Sequence, residues 1–489
     1  MLTTGSRPTL KAFDSSLALK ILLLLAGFAC FAVRLDCSYV RAASPFQVDY
    51  EEGNILNAAS RITHGLTPYP AVGSFPYTVN CYGPIGYLVS AAGIKIFGLS
   101  FFGPRLLVLF AGIGIVFMIA GLTKALGADP GSRWLAALSF LCAPLVYFWF
   151  PVLRVDFWAI FLSLLGLYVA VRLPRAWALT ALIFAVALLT KHTAIAAPAA
   201  IFIEYLMQRK LRRGVAFAGI TAAVVLLCLV LLGRDFVFAL LGTHPDPYSF
   251  RFALQAYAMA MYGCILPLSV ILYALVTGFR WTTTSRLVWF YVGLCTLTSL
   301  SAGKLGSNTN HFLEWTTAVC ILCGLALAHL FRTHALLARP FAVGLCCLAI
   351  IFTLTSQWNW RNMAADQADC PRAYDLLRTS KTDRILSENI GALVLSGKSV
   401  LVSNPFVVTQ LGNSVGWQAG SMEQLTQHQF FDLVLLGGEL NDFRPESGTW
   451  SRDFIRVLAD KYSAVERFQC PYARVAYIPR TGSSNAGHD

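Results

Sequence analysis

The sequence predicts a polytopic α-helical membrane protein with about eleven transmembrane helices and a small C-terminal α/β domain. Two features of composition and one of charge predict it. Hydrophobic residues make up 56% of the 489 and charged residues only 13%, about half the charged share of an ordinary globular chain. The mean hydropathy is +0.61. The charge is unevenly placed: residues 1–357 hold 25 Lys and Arg against 11 Asp and Glu, a net of +14, whereas residues 358–489 hold 13 against 14, a net of −1. The basic excess therefore belongs to the apolar part, where short basic loops set orientation. No basic stripe with interleaved aromatics accompanies the pI of 9.2, which argues against nucleic acid as a partner.

Spanning a bilayer takes about 17–25 apolar residues. Such runs lie near 16–35, 104–123, 134–150, 156–172, 176–190, 192–207, 214–233, 258–279, 286–302, 313–331 and 340–357. The first lacks a small-residue cleavage site followed by a soluble chain, so it reads as a retained signal-anchor. With the N-terminus inside, six short segments become cytoplasmic. They carry Arg7 and Lys11; Lys124 and Arg133; Arg172 and Arg175; Arg209, Lys210, Arg212 and Arg213; Arg280 and Arg286; and Arg332 and Arg339. All six then obey the positive-inside rule, and the reverse orientation violates it at each. The expected location is thus the cytoplasmic (inner) membrane, multi-pass, with the C-terminal domain outside. The outer face receives 36–103, 151–156, 234–257, 303–312 and the tail. Eight of the eleven acids of the membrane part fall there or, for Glu314, at the outer end of the next span: Asp36, Asp49, Glu51, Glu52, Asp156, Asp235, Asp246 and Glu314. Acids near hydrocarbon are costly and usually functional.

The first outer loop is too long for a connector. Asp49-Tyr50-Glu51-Glu52-Gly53 opens it, and over 54–64 Ile55, Leu56, Ala59 and Ile62 share a helical face. Gly65 would cap that helix. A Pro/Tyr/Gly-rich stretch leads to the apolar run 85–98, too short to span comfortably, so both helices are expected in the interface plane. The three carboxylates suit either a solvated helix N-terminus or a site. Arg154-Val155-Asp156, beside Tyr147-Phe148-Trp149-Phe150, suits either an internal ion pair or a site. Lys191-His192 interrupts two apolar runs, where a snorkelling basic end is the plainer reading. The Gly-rich stretch 303–314 carries Lys304, Asn310, His311 and Glu314, with cations and amide donors suited to a phosphate.

In order and spacing these motifs resemble the GT-C superfamily of integral-membrane glycosyltransferases, in its aminoarabinose-transferase and protein O-mannosyltransferase branch. The resemblance covers residues 15–330. It rests on Asp49 with Glu51/Glu52, Gly65…Pro68-Tyr69, Tyr82-Gly83-Pro84, Phe97-Gly98…Arg105, Leu153-Arg154-Val155-Asp156, Thr190-Lys191 and the 306–314 stretch. It implies a polyprenyl-phosphate-linked sugar donor, an outer-face envelope acceptor (glycan, glycolipid or protein), and inversion at the anomeric carbon. Asp49 matches the general base or acceptor-orienting carboxylate, with Glu51 or Glu52 completing an acidic pair. Asp156 matches the second-loop acid that in relatives holds the acceptor or a metal. A divalent ion on Asp49, Glu52 and Asp156 is one expectation, and some relatives work without one. Some relatives carry Lys just before the Pro at 84, where this chain has Cys81-Tyr82-Gly83. Donor-phosphate charge must then come from Lys191, His192, Arg251, Lys304 or His311, with Tyr82 and Asn310 as further substrate contacts.

The chain thus divides into a membrane catalytic part, 1–357, and an extracytoplasmic part, 358–489. In the latter, 399–402 and 431–436 read as buried strands, and 421–430 and 451–461 as amphipathic helices. Cys37, Cys81, Cys370 and Cys470 fall on the oxidising side, and their spacing leaves the pairing open. The alternative function is a transporter or flippase of a lipid-linked sugar. That would show paired repeats and broken helices with mid-membrane charges, whereas here the acids cluster in loops. A membrane-anchored scaffold is a third reading, and it would tolerate loss of Asp49 and Asp156.

Overall fold

The computed structural model describes residues 15–71, 75–242, 247–283, 285–411, 421–443 and 449–480. Arg7, Lys11 and the outer-loop acid Asp246 lie outside these residues.

The first apolar run is α1 (Ser15–Ala43). The long loop after it forms two helices, α2 (Tyr50–Thr63) and α3 (Pro84–Phe97). Asp49 starts α2 through a capping box: its side chain accepts from the Glu51 amide, and Glu52 reaches back to the Asp49 amide. Gly65, at φ +75°, supplies the left-handed residue that follows the end of α2. Pro84 sits at the first turn of α3, where its missing N–H costs nothing. α3 packs backbone to backbone on α4 (Phe102–Ala125), since a Cβ on Gly93 would lie 2.7 Å from the Pro104 nitrogen.

The remaining apolar runs become α5 (Pro130–Leu141), α6 (Pro144–Trp149), α7 (Asp156–Arg172), α8 (Trp177–Thr190), α9 (Ala196–Met207), α10 (Leu211–Val237), α11 (Phe250–Gly263), α12 (Ile265–Val276), α13 (Arg286–Ser299), α14 (Leu313–Thr333) and α15 (Ala335–Asp366). Among the described residues, four segments are long and apolar enough to cross a membrane unaided: Phe102–Ala125, Leu211–Gly242, Thr309–Thr333 and Ala338–Thr355. α10 leaves Leu226, Leu227, Val230 and Leu231 exposed, as a helix in lipid does. The protein is a multi-pass membrane protein.

Two expected spans are broken. The 134–150 run stops at Cys142, before Pro144 starts α6. Buried Arg41 of α1 donates to the carbonyls of Tyr147 (3.2 Å), Phe148 (2.8 Å) and Phe150 (3.3 Å), satisfying backbone groups freed at the break. The 258–279 run bends by 79° between α11 and α12. Pro267 explains the bend, because its ring would clash with the carbonyl of Gly263 in a continuous helix.

The tail carries a four-stranded sheet of β1 (Ile385–Ser387), β2 (Leu433–Leu436), β3 (Tyr462–Arg467) and β4 (Val475–Pro479), in the order β1-β2-β4-β3. Only the β1–β2 pair is parallel. Around it lie α16 (Cys370–Thr379), α17 (Ile390–Leu395), α18 (Pro405–Leu411), α19 (Ser421–Gln427) and α20 (Arg452–Lys461). The expected strand at 399–402 does not join this sheet. Its end pairs instead with the first outer loop, through a parallel bridge between Tyr77 and Val402. Cys370 and Cys470 form a disulfide, while Cys37 and Cys81 are not disulfide-bonded.

Candidate active site

The site is built outward from Glu52, which is fully buried. Its Oε1 accepts from Arg105 Nε (2.8 Å) and from the Leu153 amide (2.7 Å). Oε2 accepts from Arg105 Nη2 (2.6 Å) and the Val48 amide (2.7 Å). Arg105 also donates to the carbonyls of Ser44 and Phe46, at 2.7 Å each. Burial alone would raise the Glu52 carboxyl, but the Arg105 charge and the backbone donors outweigh it and hold the group below its ordinary range. Glu52 thus ties the start of α2 to α4 and to the residue before Arg154. It does not face the cavity described below.

Arg154 links the acids that do. Its Nη1 lies 2.7 Å from Asp49 Oδ2, its Nη2 donates to Tyr82 Oη at 3.0 Å, and its Nε lies 3.5 Å from Asp156 Oδ2. The guanidinium stacks on Trp149 with 4.9 Å to the ring centroid. Burial disfavours its charge, yet Tyr82, Asp49, Asp156 and Glu51 outweigh that, so Arg154 holds its proton more tightly than an ordinary arginine. On the far side, Asp156 Oδ1 accepts from Lys191 Nζ (2.6 Å) and Asn310 Nδ2 (2.9 Å). The result is a chain of alternating charge, Asp49–Arg154–Asp156–Lys191.

Two glycines bring its members together. A Cβ on Gly83 would sit 1.9 Å from the Leu189 carbonyl oxygen, and one on Gly86 would sit 2.3 Å from Val155 Cγ1. The Tyr82-Gly83-Pro84 turn therefore lies directly against the end of α8, which presents Lys191, and the first turn of α3 lies against the residue between Arg154 and Asp156. The 303–308 loop closes another side. It is pinned to the start of α11 by bonds from the Ser249 amide to the Gly303 carbonyl and from the Leu305 amide to the Pro247 carbonyl, each 2.8 Å.

These segments enclose a cavity of about 240 Å³. Of the residues singled out from sequence, Asp49, Glu51, Tyr82, Lys191, His192, Lys304, Asn310 and His311 line it. Asp156 borders an adjoining cavity of about 30 Å³ that shares Lys191, Asn310 and His311 and is floored by Glu314. Arg251 is not among them. It is exposed in the first turn of α11. Sequence reasoning missed Asn404 and Phe406, which reach the same cavity from the tail. No local signal marks them. The Asp49-x-x-Glu52 capping-box spacing, by contrast, was visible and would have turned Glu52 inward.

Asp49 Oδ2 accepts from the Glu51 amide (3.1 Å) and from Arg154. The Asp49 carboxylate is only partly buried and lines the cavity, within reach of a hydroxyl bound there. Glu51 accepts from Asn54 Nδ2 (3.3 Å) and Asn404 Nδ2 (3.2 Å). The acids expected to hold a divalent ion instead point at cations: Glu52 at Arg105, Asp49 at Arg154 and Asp156 at Lys191. A metal ion would have to displace a guanidinium or ammonium at each, so these residues do not fit a shared metal site. Among the described residues no group of three or more His, Cys, Asp or Glu is arranged to hold one.

Solved structures share this architecture over most of the chain. ArnT from Cupriavidus metallidurans in the apo state aligns with a TM-score of 0.64 at 15% identity, covering 92% of this chain and 97% of that one. The fold is that of ArnT. The same ArnT bound to undecaprenyl phosphate gives a TM-score of 0.61 at 16% identity, over 94% of this chain and 99% of that one. AftD, an arabinofuranosyltransferase from Mycobacteria, gives 0.51 at 17% identity over 95% of this chain and 40% of that one. The Archaeoglobus fulgidus oligosaccharyltransferase in complex with Zn and sulfate gives 0.55 at 11% identity, over 94% of this chain and 73% of that one. No family model and no curated protein matches the sequence.

Proposed function

We propose that this protein is an inverting glycosyltransferase that moves a sugar from a polyprenyl-phosphate carrier to a cell-envelope acceptor on the outer face of the inner membrane. The observation that carries the reading is one cavity that sets the Asp49 carboxylate beside Arg154, Lys191, His192 and Lys304. The ArnT fold, in a protein also solved with undecaprenyl phosphate, supports the lipid carrier. The basic loops of the opposite side and the Cys370–Cys470 disulfide support an outward-facing tail in an oxidising compartment.

In this reading Asp49 takes the proton of the acceptor hydroxyl as it attacks the anomeric carbon. Arg154 holds Asp49 in place. Charge developing on the departing phosphate is met by Lys191, His192 and Lys304, preplaced in the cavity. Asp156 holds Lys191 extended into the cavity, and Asn310 fixes Asp156.

The test is sugar transfer in proteoliposomes from a panel of undecaprenyl-phosphate sugars, with wild type against Asp49→Asn. Loss of a general base costs about 10²–10⁴-fold in rate, so the folded variant should lose that much transfer. Equal rates would reduce Asp49 to a helix cap, and labelled lipid crossing the bilayer without sugar release would favour a flippase.

A further inference from the structure

The tail does more than cover the site, because one of its segments forms a wall of the cavity. Asn404, Phe406 and Val407 line it, more than 300 residues from Asp49 in sequence. The placement is fixed by backbone pairing: the Tyr77 amide donates to the Leu401 carbonyl at 2.8 Å, and the Ser403 amide donates to the Tyr77 carbonyl at 3.0 Å. The Ser403 hydroxyl accepts from the Val79 amide at 2.8 Å.

The two sides of the cavity differ in chemistry. The loops between apolar helices bring Arg154, Lys191, His192 and Lys304, the groups that suit a phosphate. The tail brings a neutral amide and an aromatic ring, which suit an uncharged, hydroxyl-rich ring with apolar C–H faces. Asn404 is 4% exposed and grips Glu51 at 3.2 Å while its Oδ1 accepts from Tyr50 Oη at 3.4 Å. The Phe406 ring rests on Gly306: a Cβ there would lie 2.6 Å from Phe406 Cζ, and Gly306 has φ +79°. The ring is only partly buried, so it also presents surface to the cavity.

Building on the transferase reading, we infer that the tail supplies the acceptor subsite and that the acceptor is a glycosyl ring. Phe406 stacks on its C–H face. Asn404 is a positioning residue that holds Glu51 toward its hydroxyls.

The test is saturation kinetics of transfer, in proteoliposomes, from the undecaprenyl-phosphate sugar that wild type uses to octyl glucoside, octyl galactoside and octyl mannoside, with a Ser/Thr peptide in parallel. A stacking contact is worth about 0.5–1.5 kcal/mol, that is, up to about tenfold. Phe406→Ala should raise the octyl glycoside KM by about that factor and the donor KM less than threefold, and Phe406→Tyr should restore the acceptor KM. Asn404→Ala should lower the thermal midpoint, because Asn404 also accepts from the Val407 amide at the start of α18, and in protein still folded at the assay temperature it should lower kcat about tenfold with the donor KM unchanged. The inference is overturned if Phe406→Ala leaves the octyl glycoside KM within twofold, if it raises the donor KM instead, or if wild type glycosylates only the peptide. In each of those cases the transferase reading stands. A wild type that neither transfers nor hydrolyses any donor defeats both.

Discussion

The buried Glu52–Arg105 pair yields a quantitative prediction. Glu52→Gln removes the charge opposite Arg105 and turns an NH₂ group toward donors that Glu52 now accepts, among them the Val48 and Leu153 amides. Breaking a buried pair on one side costs about 3–5 kcal/mol. Arg105→Met should cost a similar amount, since it strands Glu52 and unpairs the Ser44 and Phe46 carbonyls. Removing both charges usually recovers much of the loss. Here the double variant Glu52→Leu/Arg105→Met still leaves at least four backbone groups without partners, at about 1–3 kcal/mol each when buried. It should therefore remain destabilised by at least about 3 kcal/mol, yet be less costly than the sum of the singles by about 2 kcal/mol. Equilibrium SDS unfolding in mixed micelles measures all three. Transfer activity should fall in all three, because Leu153 and Val48 position Arg154 and Asp49. A Glu52→Gln protein of wild-type stability and activity would refute the reasoning, as would additive singles.

Other expectations follow from single contacts. Gly83→Ala places a Cβ against the Leu189 carbonyl, which cannot rotate away. It should cost at least about 1–3 kcal/mol and displace Lys191, seen as a lower thermal midpoint and more than tenfold slower transfer. Cys370→Ser opens a loop of sequence separation 100, worth about 4–5 kcal/mol in the chain-entropy model. Limited proteolysis should then cut the tail before the membrane helices. Glu388 is buried against Trp450 Nε1 and the Gly437 amide, and burial pushes its carboxyl up from 4.5 to about 7. The folded tail then binds the proton more tightly than the unfolded one, so stability is greatest below pH 4.5 and falls by about 3 kcal/mol as pH rises through 7. Thermal melts followed by tryptophan emission between pH 5 and 8 should show the decline, and Glu388→Gln should flatten it.

Much of this was legible in the sequence because it is written locally. Apolar runs, basic loops and the Asp49, Arg154–Asp156, Lys191 and 303–314 motifs lie within short windows, and their residue types already state their chemistry. The breaks were harder to read. Pro267 lies inside an uninterrupted apolar run, so hydropathy joined α11 to α12. Glu51 and Glu52 are neighbours, yet a helix sets them about 100° apart, one toward the cavity and the other into Arg105. Asn404 and Phe406 were invisible for a different reason. Their partners lie across the fold, Glu51 at a separation of 353 residues, and the run before them imitates an ordinary sheet strand.

The bridge between Tyr77 and Val402 also bears on exchanging parts between proteins of this fold. A tail transplanted alone would meet a loop whose backbone donors and acceptors were set for another partner, and a loop transplanted alone would meet the converse. The workable unit of exchange is discontinuous, 75–83 together with 399–407. Libraries that seek new substrate preference should vary those two stretches jointly, as one cassette recombined from a single parent.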